Sequence, residues 1–243
     1  MIKFHPARQQ LRDFVEGALP PAISLVVAAH CDMCKQCQRL VELETESLAA
    51  QMVSASTRDT NLSLEFGDMI SQITQLPSSL EVDNKRQMNT PKKEGESADS
   101  SGYLTRGAAT IELDGRVFQL PKTLQRYTDK TGNWSSLVGK LWQAPVDFGN
   151  QGVANFIYMG RGGSVPEHTH RGTEYTLVID GEFSDGLHHY DTGDFIFMDG
   201  DHTHTPRTDA KEGCLVFSIV DQPLHFTSGL ARLLNPFSHL FFR

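Results

Sequence analysis

Gly162–Gly181, GGSVPEHTHRGTEYTLVIDG, is the stretch from which the fold is read. Written as Gly162-x5-His168-Thr169-His170-x3-Glu174-x6-Gly181, it places two imidazoles two residues apart and a carboxylate shortly after them. Alternate residues of a strand share a face, so His168 and His170 point the same way and Glu174 can return to the same pocket. Downstream, Gly193-x10-His204 ends in His204-Thr205-Pro206 and supplies a third imidazole. His202 is an alternative to His204, although the spacing from Gly193 favours His204. Three histidines and one glutamate around a cavity suit a first-row divalent metal; Zn2+ is favoured, and Mn, Fe and Ni also fit the donor set.

The texture around this stretch is β. Short apolar runs at 117–120, 137–142, 154–159, 175–179, 195–198 and 215–220 are separated by glycine and aspartate turns. Many short strands with frequent turns predict a sandwich or jelly roll rather than a βαβ fold. The histidine stretch resembles the first cupin motif at every defined position, and the resemblance implies a double-sheet jelly roll. The second motif is degenerate: Asp199 and Asp201 replace its usual proline and glycine, with the terminal histidine retained. His188, His189, His225 and His239 lack such spacing and read as structural or solvated.

The N-terminal part has a different texture. His30-Cys31-Asp32-Met33-Cys34-Lys35-Gln36-Cys37 gathers three of the four cysteines and a histidine. Taken as His30-x3-Cys34-x2-Cys37, it offers three soft ligands at successive helical turns, and His5, just ahead of a predicted helix, completes a tetrahedral Zn2+ set. Two thiolates would neutralise the dication and staple helices too slight to fold well alone. Cys31 adds an overlapping CxxC, a thiol beside the ligands that can act as a redox trap or simply pack. Helices are predicted at 7–17 (Leu11, Phe14, Val15), at 22–30 behind Pro20-Pro21, and at 34–52, with Leu40, Leu43, Leu48 and Met52 on an apolar side and Glu42, Glu44 and Glu46 solvated. A fourth, 62–76, carries the seam Leu62, Phe66, Met69, Ile70, Ile73 and Leu76. That seam either packs on its own bundle or is offered to a partner's groove.

Between the two textures, 78–102 is dominated by Pro, Ser, Asn, Lys, Glu and Gly and reads as a linker. The expected organisation is α+β: a zinc-stapled helical domain at 1–77, the linker at 78–102, and a β-sandwich at 103–243. The tail 229–243 is rich in Leu and Phe and is predicted to pack on the sheet or at a homodimer interface. A net charge of −8 argues against direct nucleic-acid binding. No apolar run is long enough to cross a bilayer, no signal peptide is visible, and the cysteine usage is not a disulfide framework, so a cytoplasmic location is expected.

Together, His5-Pro6, the lead-in Val27-Ala-Ala-His30, the CxxC and a cupin motif resemble the ChrR-type zinc-binding anti-sigma factors of bacteria. The resemblance covers nearly the whole chain. It implies that the helices clamp an extracytoplasmic-function sigma factor, with part of that contact at Leu62, Phe66, Met69, Ile70 and Ile73. It implies that His5, His30, Cys34 and Cys37 hold a zinc needed for this contact, and that His168, His170, Glu174 and His204 hold a metal associated with the response. It further implies no catalysis, and release on an oxidative signal such as singlet oxygen or an organic hydroperoxide. Two other readings stand beside it: a metal-dependent cupin dioxygenase or isomerase with a helical appendage, and a zinc-bearing module for another partner. A neighbouring sigma-factor gene favours the first reading; a catabolic operon favours the enzyme.

Overall fold

The computed structural model describes residues 1–56, 71–72, 74–75, 110–137, 140–148, 153–227, 229, 231–233 and 235. The linker 78–102 and the residues Leu62, Phe66, Met69, Ile70 and Ile73 lie outside these, as does most of the tail. The chain divides into two compact units, Met1–Thr45 with Arg106–Arg243, and Glu46–Thr105. The first unit holds both groups of candidate ligands.

Three helices open the chain: α1 (Arg8–Val15), α2 (Pro21–Met33) and α3 (Lys35–Ser56). Pro21 occupies the first turn of α2, where its missing N–H costs nothing and its fixed φ suits a helix. Ala22, Leu25, Val26, Val27 and Ala29 leave α2 without a polar side, so it has to be covered on several sides. α1 covers one side, and the sheet covers another. The short helix α4 (Lys122–Gln125) also packs on α2, and Asp32 Oδ2 accepts the Thr123 N–H at its start, 2.6 Å away. Along α3, Leu40 and Leu48 are half-buried, while Leu43 and Met52 are exposed, so the expected apolar side is only partly covered. Glu44 is not simply solvated: its Oε1 accepts from Arg8 Nη2 at 3.3 Å and Arg12 Nε at 3.4 Å, joining α3 to α1.

The rest is an antiparallel two-sheet sandwich. A hairpin of β1 (Thr110–Leu113) and β2 (Arg116–Gln119) precedes it. The large sheet runs β3 (Ser135–Leu137), β4 (Leu141–Val146), β5 (Val153–Met159), β11 (Cys214–Val220), β7 (Glu174–Ser184) and β8 (His189–Asp191). β9 (Phe195–Met198) pairs with the start of β7. The small sheet is β10 (Thr203–His204), β6 (His168–His170) and β12 (Leu224–Phe226). The run 137–142, read from sequence as one strand, is instead split between β3 and β4. Lys140 turns the chain at φ 63°, and the two strands pair antiparallel.

β11, inside the large sheet, is buried on both faces, which is why its sequence, CLVFSIV, lacks the alternation of a half-exposed strand. Leu215, Phe217 and Ile219 join Val26, Val27 and Ala29 of α2 in one core. Cys214 and Val216 join Ile157, Met159 and Met198 in the other. The N-terminal helices are therefore the outer layer of this β domain. Phe217 is fully buried in the helix-facing core, its ring 5.1 Å from that of Phe156. Phe217→Ala is expected to lower unfolding stability by about 3–5 kcal/mol, measured by urea denaturation of the full chain.

Candidate metal centres

The four residues of the N-terminal set converge. His5 Nδ1 lies 3.4 Å from His30 Nε2, from Cys34 Sγ and from Cys37 Sγ. All four ligand atoms lie within 4.8 Å of one another. Donors about 2.0–2.3 Å from one tetrahedral zinc stand roughly 3.3–3.8 Å apart, so the cluster has the size of that site. The local fold differs from the run of helical turns that the spacing suggested. Seven residues of continuous helix rise about 10 Å, too far for His30 and Cys37 to share an ion. The chain solves this at Cys34, which leaves the helix at φ −110°, ψ 102°. Its N–H still bonds His30 O at 2.8 Å, and its carbonyl accepts the Gln38 N–H at 3.0 Å, so one residue ends α2 and starts α3.

His30 is fully buried and its Nδ1 bonds the Gly193 carbonyl, 2.9 Å away. That bond makes Nδ1 the protonated nitrogen and leaves Nε2 bare, facing the cysteines. Burial pushes the His30 imidazole down to about 4, with the Gly193 bond opposing the shift. Burial, reinforced by Cys34, pushes the Cys37 thiol up to about 12. A neutral imidazole is ready to ligate, while a thiol held neutral by burial needs a cation beside it to ionise. The donor set fits a dication.

The second set converges between the two sheets. β6 carries His168 and His170 on one face, β7 begins at Glu174, and β10 ends at His204, paired with His168 across the small sheet. His204 Nε2 is 2.9 Å from His168 Nε2 and 3.0 Å from His170 Nε2, which is 3.0 Å from Glu174 Oε2. His204 is buried; His202 is exposed and paired with Asp199 at 2.7 Å, so the structure brings His204 to the cluster. Three imidazole Nε2 atoms at these distances are donors turned toward a common centre, and His168 is fixed in that sense by its Nδ1 bond to Pro166 O at 2.8 Å. The Nδ1 atoms of His170 and His204 are buried and have no protein partner among the described residues. Burial lowers all three imidazoles, His168 to about 4. Burial pushes the Glu174 carboxyl up, but the three histidines outweigh it and the net shift is downward. Thr176 and Ser218 hydroxyls donate to Glu174 Oε1 at 2.7 and 2.9 Å. Beside this set lies a cavity of about 50 Å³, walled by Ile157, Met159, Ile196, Met198 and Val216.

Sequence reading found the eight ligand candidates but not what orients them. Gly193 was seen only as the start of a degenerate motif, and Asp194, Thr176 and Ser218 carried no separate signal. A third cluster, Glu182, His189 and Asp191, lies at the surface, where Lys3 Nζ already sits 2.7 Å from Asp191. No described helix is long and apolar enough to cross a membrane.

Comparison with known proteins agrees with this architecture. Residues 126–222 match the family model of the ChrR cupin-like domain. The chain is 28% identical over 236 residues to the anti-sigma-E factor ChrR of Cereibacter sphaeroides, covering 97% of this chain and 98% of that protein. The crystal structure of Rhodobacter sphaeroides SigE in complex with the anti-sigma factor ChrR matches with a TM-score of 0.60 at 22% identity. That match covers 91% of this chain and 100% of the other. The resemblance to ChrR-type anti-sigma factors read from the sequence thus extends along the whole chain and to the fold.

Proposed function

We propose that this chain is an anti-sigma factor that sequesters an extracytoplasmic-function sigma factor in the cytoplasm and releases it when an oxidant acts on the β domain. The observation that carries this reading is the convergence of His5, His30, Cys34 and Cys37 in a chain aligned almost end to end with an anti-sigma factor. Residues 1–77 hold the partner, 78–102 link, and 103–243 receive the signal. In the helical centre, Zn2+ would supply a tetrahedral cross-link. His5, in the segment before α1, and His30, Cys34 and Cys37, at the α2–α3 junction, would hold it. Held together in this way, the segment before α1 and the α2–α3 junction would present a defined surface to the partner. Leu43, exposed on α3, gives that surface apolar character, and by the family resemblance Leu62, Phe66, Met69, Ile70 and Ile73 would supply part of the partner contact.

In the β centre a divalent metal, Zn2+ first among the candidates, would be held by His168, His170, Glu174 and His204. The cavity beside it is walled by apolar side chains, which suits singlet oxygen or an organic hydroperoxide. Ser218 and Thr176 hold the Glu174 carboxylate in place. Deleting the gene is expected to raise transcription from promoters read by the sigma factor encoded beside it. Unchanged promoter activity would count against the reading.

Cys31 bears on how the signal acts. It is half-buried, and burial, with Cys34 next in weight, pushes its thiol up to about 12. A thiol held neutral reacts slowly, so Cys31→Ser is expected to change hydroperoxide-driven zinc release less than twofold, followed with a chromogenic zinc chelator. A large slowing would assign Cys31 the trapping role.

A second reading, a metal-dependent cupin dioxygenase or isomerase, draws on the same cavity. A three-histidine, one-glutamate site with an open position can act on oxygen or water. Sustained turnover by the metal-loaded chain would favour it.

A further inference from the structure

The segment that delivers His5 is not held by the helices alone. Asp194, in the turn between β8 and β9, is fully buried, and its carboxylate is shared between two parts of the chain. Oδ2 accepts the Asp191 N–H at 2.8 Å, closing the turn, while Oδ1 accepts the N–H groups of Lys3 and Phe4 at 2.6 and 3.1 Å. The next residue continues the grip: Phe195 N–H donates to Phe4 O at 3.0 Å, adding the N-terminal segment to the edge of β9. The preceding residue holds the other histidine, since Gly193 O is the partner of His30 Nδ1. Gly193 also has to be glycine: its φ is +94°, and a Cβ there would stand 2.5 Å from Ile2 Cδ1. Three consecutive residues of the β domain thus fix both histidines of the helical centre, 25 residues apart in sequence.

We infer that Gly193, Asp194 and Phe195 form the outer support of the helical metal centre, with Asp194 as its positioning residue. The helical centre is therefore completed by the β domain. The inference rests on the metal reading of His5, His30, Cys34 and Cys37, and it deepens the proposed regulation. Phe195 is the first residue of β9, and its ring meets that of His30 edge-on at 5.9 Å. Ile196 and Met198, on the same four-residue strand, line the cavity beside the β centre. A change in that cavity that shifts β9 acts directly on the support of His5 and His30.

The test is a Co2+ titration of the full chain in competition with a chelator. Thiolate-to-cobalt charge transfer reports only the helical centre, because the β centre has no cysteine; total bound metal reports both. Asp194→Ala is expected to weaken the helical centre about 10- to 100-fold, the cost typical of losing an outer-shell partner, while binding at the β centre holds. Asp194→Asn, which keeps one acceptor oxygen, should recover part of the loss. Helical-centre affinity within twofold of the unsubstituted chain would overturn the inference. So would equal loss at both centres, which signals general unfolding. Cys34→Ser is the control for the underlying reading: if it leaves the charge-transfer band intact, the ligand assignment is at fault rather than the role of Asp194.

Discussion

Cys34→Ser is expected to remove stable zinc from the helical centre and to abolish capture of the sigma factor. Cys34 supplies one of only two anionic donors, and a serine hydroxyl neither ionises nor binds a borderline-soft cation comparably. The loss should exceed the about 10- to 100-fold effect of removing an outer-shell partner. It should also reach the fold. A ligand at about 1,000 times its Kd stabilises the native state by roughly 4 kcal/mol, and the variant forgoes that term. Cys34 further occupies the break at which α2 gives way to α3, so the side chain lost is the one nearest the corner. Zinc per chain, which should fall by one while the metal of the β centre stays, and thermal unfolding check this. A variant that loses no zinc relative to the unsubstituted chain, or that melts as the unsubstituted chain does, would remove the structural role assigned to the centre.

His204→Ala is expected to separate capture from release. His204 Nε2 stands between His168 Nε2 and His170 Nε2, at 2.9 and 3.0 Å, so removing it takes out the donor common to both contacts. Metal at the β centre should fall by at least about 100-fold, again more than an outer-shell loss costs. Glu174, half-buried and turned toward the three imidazoles, then loses one of the groups that hold its carboxyl down. Because the helical ligands are untouched, the variant should bind the sigma factor as before and fail to let it go on exposure to a hydroperoxide. Paired measurements of complex formation and oxidant-induced promoter activity would decide it. Release at the normal rate from a variant lacking the β-centre metal would exclude that metal from signalling.

The candidate ligands of both centres were legible because metal chemistry leaves local spacing behind. His30-x3-Cys34-x2-Cys37 and His168-x-His170-x3-Glu174 are compact patterns, and the turn-rich runs around the second predicted a sandwich. Less visible were features that depend on distant pairing. The break at Cys34 cannot be read from a helix-compatible spacing, since the same residues fit a continuous helix until convergence on one ion is required. The apolar run 137–142 hides a reversal at Lys140, a non-glycine residue with positive φ. The support of His5 and His30 by Gly193–Asp194 joins positions about 190 and 163 residues apart, and no local pattern records it. CLVFSIV of β11 did carry a long-range message. Its unbroken apolar run is that of a strand covered on both faces, and the second cover turned out to be α2. A fragment cut after the helices would therefore expose the side of α2 that the sheet now buries.

The most direct test of the central claim is to co-express the full chain with the sigma factor encoded beside its gene and analyse the product by size exclusion and metal content. The account predicts a one-to-one complex that carries zinc in the helical centre and is lost with Cys34→Ser. A well-folded, zinc-loaded chain that elutes alone in the presence of the sigma factor would contradict it.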